Sequence, residues 1–117
     1  QFRLQVTARQ GGIIYYSWSA DFNDPDTFLQ TYVSNAGSNR TGWKSAAYDA
    51  LITRASTLPN GPDRAKAYAD ALRILIHDEA IAVPLYHGRN FYLQRPPMRG
   101  VVVNPLGQIF LRDARPL

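Results

Sequence analysis

Residues 17–28 read SWSADFNDPDTF, and how this stretch is parsed decides the fold. It overlaps IIYYSWSA (13–20), a β-branched and aromatic run apolar on both faces, which is the pattern of a strand covered on two sides. The chain then passes into NDPDTFLQTYV. Asp24 has the chemistry of an N-cap, Pro25 suits the first helical position because its missing N–H would find no partner there, and Asp26 puts negative charge at the positive end of the helix dipole. The pattern predicts a buried strand, a capping loop and a short helix from Pro25 to about Val33. Asp21 stands at the junction, behind Trp18. An ionised carboxylate at the end of a buried strand is costly unless something positive meets it.

Working outward, SNAGSNRTGW (34–43) is polar and contains glycine, so it reads as a loop, with Trp43 as a packing anchor for the next helix. Ser45 can cap that helix, whose apolar face is Tyr48, Leu51, Ile52 and Ala55. Pro59, Asn60 and Gly61 break the chain, and Pro62 opens a longer helix with Ala65, Tyr68, Leu72, Leu75 and Ile76 on one side. IAVPLYHGR (81–89) reads as a buried strand near an edge because of Pro84, and NFYLQR (90–95) as a neighbour to it. VVVNPLGQIFLRDARPL (101–117) reads as short strand, turn, short strand and tail. The opening QFRLQVTA (1–8) has the period of a strand rather than the build of a signal peptide. Strands, three helices and strands again predict an α/β or mixed α+β fold, helices packed on a small mixed sheet. The strand at 13–20 asks for more cover than the rest of the chain offers.

A chain of 117 residues, 45% hydrophobic and 19% charged, suits one small domain. No apolar run approaches the roughly 18 to 20 residues that a bilayer demands. The absence of cysteine removes disulfides, thiol catalysis and cysteine-bound zinc. The net charge of +4 is concentrated late: residues 1–84 balance eight basic against eight acidic side chains, whereas Arg89, Arg95, Arg99, Arg112 and Arg115 face only Asp113. These arginines are spread over strand-like segments broken by Pro96, Pro97 and Pro105. They lack the dense clustering and aromatic interleaving of a nucleic-acid surface, so a solvated face is the expectation and nucleic acid is not a partner.

Other chemistry finds little support. Asp21 could cap a turn or pair with an arginine, and Asp24 and Asp26 read as helix-start residues. DFNDPD does not make a calcium loop, since Pro25 and Asp26 stand where such a loop needs a ligand and a glycine. His77 falls near a helix end, where the dipole favours a cation, and His87 stands alone, so neither has a partner at metal-ligand spacing. No Gly-x-Ser-x-Gly, phosphate-cradling glycine loop or His-Glu-x-x-His occurs. No metal, cofactor or enzymatic activity is expected. A hydrolase built on the carboxylates of 21–26 would need two of them in one cavity, and a helix beginning at Pro25 is expected to turn Asp26 away.

SWSADFNDPDTFLQTYVSN, YDALITRA, RAKAYADALRILIHDEAIAVPLY and VVVNPLGQIFLR together resemble the C-terminal part of the bacterial periplasmic oligopeptide-binding proteins, the substrate-binding components of peptide ABC transporters. The likeness runs over essentially the whole chain and is weak before residue 13. Such proteins are on the order of 500 residues in two lobes, far beyond a typical domain of ~100 to 150 residues, so the chain resembles about the last quarter. The resemblance implies that residues 1–95 belong to the second lobe and 96–117 return strands toward the first. It implies a periplasmic location, or a cell-envelope lipoprotein where there is no outer membrane. It also implies a short peptide ligand, an inner-membrane ABC permease as partner, and no covalent chemistry. A piece of such a protein is expected to expose apolar surface and to self-associate. By the same resemblance Asp21 pairs with the ligand's α-amino group, the backbone near Trp18 and Ser19 pairs with the ligand's backbone like an added strand, and Tyr86 lines the pocket region. Tyr15 stands where relatives often carry a basic residue for the ligand's carboxylate, so no carboxylate partner is carried over. Ser19 replaces a cysteine found in some of them. The alternative is a stand-alone interaction module that binds an acidic partner through the arginines of the last third.

Overall fold

Small side chains on two helices decide where this chain is dense. In the computed structural model, residues 12–95 and 98–116 are described; the expected opening strand at 1–8 lies outside them. Helix α1 is Asp26–Leu29 and continues as one 3-10 turn, Gln30–Tyr32. Together they occupy most of the helix predicted from Pro25 to Val33. Helix α2, Ala46–Thr57, is capped as expected by the Ser45 side chain, which accepts from the Tyr48 N–H at 3.3 Å. Helix α3, Pro62–Leu72, opens on its proline and runs into a wider π-helical stretch, Arg73–Asp78.

The core lies between these elements. Leu29 of α1, Tyr48, Ile52 and Ala55 of α2, and Ala67, Tyr68 and Ala71 of α3 are buried together with Leu75. The Tyr48 hydroxyl, at the centre, donates to the Leu29 carbonyl at 2.7 Å. Trp43 packs edge-on against the Tyr48 ring, 5.1 Å between centroids, and its indole N–H donates to Glu79, so it does anchor α2. The expected face of α3 needs correction: Ala65 and Leu72 are exposed, while Ala67 and Ala71 are inside. Alanines at 67, 71 and 55 let the two helices approach closely, and dense contact there outweighs the burial that Leu72 would offer elsewhere.

Beyond Leu75 the core thins, with Ile76, Ile81 and Ala82 packing against it only partly buried. The π-helical stretch closes with Glu79 N–H on the Ile74 carbonyl (3.0 Å) and Ile81 N–H on the Leu75 carbonyl (2.9 Å), which bends the backbone through Ala80 at φ +48°. Among the described residues, four two-residue strands follow. β1 (Met98–Arg99) pairs antiparallel with β4 (Arg115–Pro116), with Arg99 opposite Arg115; β2 (Val102–Val103) pairs antiparallel with β3 (Ile109–Phe110), with Val102 opposite Phe110. The predicted strand, turn and strand over 101–117 are thus present. The turn is held by Asn104, whose Oδ1 accepts from the Leu106 and Gln108 N–H groups at 3.0 and 2.9 Å, and by Gly107 at φ +79°.

The expected strands at 13–20, 81–89 and 90–95 are not formed among the described residues. Their patterns are those of strands, but a strand exists only as one side of a ladder, and no described neighbour supplies the other side. Ile13, Leu85, Tyr86 and Phe91 are exposed instead. Mixed helix and antiparallel strand is therefore the architecture, with the helices packed on each other rather than on a sheet.

Candidate functional site

Three carboxylates lie in the 21–26 turn, and the structure treats each differently, although the Tyr68 hydroxyl lies within reach of both Asp24 and Asp26, at 3.4 and 3.3 Å. Asp24 is held in a bidentate ion pair, Arg64 Nη1 to Oδ2 at 2.7 Å and Nη2 to Oδ1 at 2.9 Å. The hydrogen bonds from Arg64 first, then the one from the Asp26 N–H, hold its carboxyl below the usual carboxylate range. That second bond is 2.9 Å to Oδ1; Pro25, not Asp24, is the N-cap residue of α1, and Asp24 bonds the helix start from one position before it. Arg64 also donates through Nε to the Ala55 carbonyl (3.0 Å) and through Nη2 to the Tyr68 hydroxyl (2.8 Å), and its guanidinium lies 4.9 Å from the Tyr68 ring centroid. One side chain thereby ties the start of α1 to the end of α2 and the middle of α3.

Asp26 takes neutral donors. The Gln30 amide and the Tyr68 hydroxyl, the latter at 3.3 Å, both donate to its carboxylate. Burial first, then the charges of Asp26 and Asp24, push the Tyr68 hydroxyl up to about 12, so it remains a donor at neutral pH. Asp21 differs from both. Its backbone N–H is fixed, donating to Thr27 Oγ1 at 3.0 Å, and among the described residues its exposed carboxylate has no ion-pair partner.

Trp18, Asp21 and Phe22 form one side of an open concavity of about 650 Å³. Asp26, Thr27 and Gln30 line it from α1, residues 35–38 from the loop, and Ile52 from α2. The expectation that the helix start turns Asp26 away is overturned. The hydroxyl of Tyr68 and the amide of Gln30 hold the Asp26 carboxylate, and Asp26 lines the concavity together with Asp21. Among the described residues, no histidine, lysine, arginine, tyrosine or methionine lines this concavity.

The sequence-predicted residues are only partly brought together. Trp18 and Asp21 share the concavity, and Tyr16 packs beside Trp18 with 5.9 Å between ring centroids. Ser19 is exposed and off its lining, with no hydrogen bond to another described residue. Tyr86 stands apart from it, its hydroxyl 2.7 Å from that of Tyr15. Tyr15, at the position where a carboxylate partner was missed, is thus engaged with another tyrosine. His77 bonds its neighbour Asp78 at 3.1 Å; among the described residues no group of three or more acidic, histidine or cysteine side chains is placed to hold a metal.

Reading the sequence did not find Asn39. It is 7% exposed, and its amide nitrogen lies 2.9 Å from the Trp43 carbonyl and 3.2 to 3.3 Å from those of Val33 and Tyr32. Its oxygen accepts from the Thr41 N–H (3.1 Å), the Thr41 hydroxyl (2.8 Å) and the Gly42 N–H (3.1 Å). The wall at 35–38 is therefore a knotted loop. Asn followed by Thr and Gly was the available signal, since short amides satisfy turn backbones.

Comparison with known proteins agrees with the resemblance drawn from the motifs. No family model matches the chain. It is 35% identical over 97 residues to the periplasmic oligopeptide-binding protein OppA of Salmonella typhimurium, covering 82% of this chain and 18% of that protein. Against the di/tripeptide-binding protein 4 of Pseudomonas aeruginosa it is 33% identical over 93 residues, 76% of this chain and 17% of the relative. Against the heme-binding protein A of Haemophilus influenzae it is 36% identical over 95 residues, 79% and 17% respectively. By sequence the chain is similar to one part of the bacterial oligopeptide- and dipeptide-binding proteins. It spans about a fifth of the length of the relatives it matches.

Proposed function

We propose that the concavity beside Trp18 and Asp21 receives the amino-terminal end of a short peptide. The protein it belongs to is then a periplasmic or envelope-anchored solute-binding protein that hands peptides to an ABC permease. The carrying observation is charge: among the described residues, Asp21 and Asp26 and no basic residue line the concavity, while the third acid of the turn, Asp24, is already neutralised by Arg64. Such a wall attracts an ammonium group and repels a carboxylate. Heme and other ligands that present carboxylates suit it less well, and none of the lining side chains is a usual axial ligand for iron.

In this reading Trp18 and Phe22 cover the apolar part of the first residue, Asp21 fixes the terminus, and the exposed backbone at Ser19 is free to pair with the ligand's main chain. Residues 1–95 and 96–117 serve two lobes that close on the peptide, and Tyr86 meets it only on closure. The unpaired segments at 13–20 and 81–95 favour partners beyond the described residues, including a second copy of the chain where nothing else covers them. Binding needs no bond chemistry.

Calorimetry on the intact protein tests the assignment. Asp21→Asn should weaken a free tri- or tetrapeptide by about tenfold or more, the value of one desolvated charge-assisted contact. The N-acetylated form of the same peptide should bind poorly to the wild type and no worse to the variant. Equal affinities of wild type and Asp21→Asn for the free peptide would remove Asp21 from the site.

A further inference from the structure

We infer that Arg64 is a positioning residue for ligand recognition: by taking Asp24 out of play and clamping the 21–26 turn, it leaves Asp21 as the carboxylate that meets the ligand's ammonium. The inference rests on the peptide reading above and adds a residue that lies outside the concavity.

The chain of contacts is continuous. Arg64 grips both oxygens of Asp24, at 2.7 and 2.9 Å. Asp24 Oδ1 in turn accepts the Asp26 N–H at 2.9 Å, and the Asp24 N–H donates to the Phe22 carbonyl at 2.9 Å. The turn is then closed by the Asp21 N–H on Thr27 Oγ1, 3.0 Å. Asp21 itself has no side-chain bond to a described residue, so the position of its carboxylate is set by this turn and the turn by Arg64. The guanidinium is fixed from the other side by the Ala55 carbonyl, the Asn60 side chain at 2.9 Å and the Tyr68 hydroxyl, and so cannot reach out to Asp21. A planar fork with five donors suits this task. A lysine at the same place would carry the charge without the two-point grip.

There is also an electrostatic consequence. Without the guanidinium, Asp24 becomes an unbalanced carboxylate three residues from Asp21, competing for the same ammonium from the wrong place. Arg64 thus sorts three nearby acids into one that is structural, one held by neutral donors and one open to a ligand.

The test uses the intact protein and two probes, a tripeptide with a free amino terminus and its N-acetylated form. The readout is the ratio of their affinities by calorimetry, well below the temperature at which each variant unfolds. A role in stability alone lowers the unfolding temperature and leaves the ratio unchanged. The inference predicts that Arg64→Gln lowers the ratio about fivefold or more, in the range of couplings between neighbours in one network. Arg64→Lys should fall between wild type and Arg64→Gln, and adding Asp24→Asn to Arg64→Gln should recover much of the ratio, since two amides can pair where two charges did. A wild-type ratio near one would instead overturn the peptide-terminus reading. A large wild-type ratio that Arg64→Gln leaves unchanged would overturn the role of Arg64 and leave Asp21 standing.

Discussion

Replacing Asn39 by alanine should open the loop that walls the concavity, and the magnitude can be worked from its contacts. The amide has two hydrogens for three carbonyls, so at most two are fully satisfied, and its oxygen has two lone pairs for three donors. About four full hydrogen bonds is the yield. Thr41 is exposed, so water can replace the bond to it; the Trp43 carbonyl, one of the Tyr32 and Val33 carbonyls, and the Gly42 N–H remain. At about 1 kcal/mol net for each, Asn39→Ala should cost about 3 kcal/mol. Amide exchange over residues 33–43 reads this directly and should accelerate by about a hundredfold, a local opening rather than global unfolding. Asn39→Asp is a sharper variant. It keeps an acceptor for Thr41 and Gly42 but turns an anion toward three carbonyls, so at neutral pH it should be at least as damaging as alanine. A cost below about 1 kcal/mol for Asn39→Ala, or wild-type protection in Asn39→Asp, would refute the account.

Two further expectations follow from single positions. Ala80 occupies the left-handed region at φ +48°, where a Cβ is strained, and Ala80→Gly should stabilise by about 0.5 to 1 kcal/mol in urea melts; a destabilised variant would mean the bend is not strained. Asp24 titrates below its ordinary range in the folded chain because Arg64 bonds its charged form, so on the acid side the unfolded state binds the extra proton. Its contribution is complete above about pH 4 and is lost as pH falls through the lower folded value, so Asp24→Asn should flatten the acid limb of the stability profile; an unchanged limb would assign that limb to other carboxylates.

What could be read from the sequence was local. Ser45 acts on Tyr48, Pro62 opens its own helix, and Asn104 folds the turn that ends at Gln108. Each involves residues at most four apart, where residue chemistry alone settles the geometry. The face of α3 was legible at Tyr68, Leu75 and Ile76 and wrong at Ala65 and Leu72, because periodicity ranks side chains by hydrophobicity and packing ranks them by shape. Leu72 is the more apolar residue, and Ala71 is the one that fits. The run at 13–20 was correct as a pattern and still made no strand, because alternation states what a strand would bury and says nothing of which neighbour completes its ladder.

The same limit explains why Asp21 could be noticed early while its environment could not. Arg64 is 40 residues from Asp24 in the chain, and no spacing rule links them. From sequence, any of the three acids could have taken any of thirteen basic side chains. Folding α3 against α2 removes that freedom, since the buried faces at Ala55 and Tyr68 place the guanidinium between them and within reach of the 21–26 turn. The pair then forms at Asp24, whose backbone is already turned to start α1, and not at Asp21, which faces the concavity. Which carboxylate stays open to a ligand is therefore decided by helix packing. A substitution that shifts α3 on α2, such as Ala71→Leu, should change the ratio of free to N-acetylated peptide affinities measured by calorimetry, although it replaces no residue of the concavity.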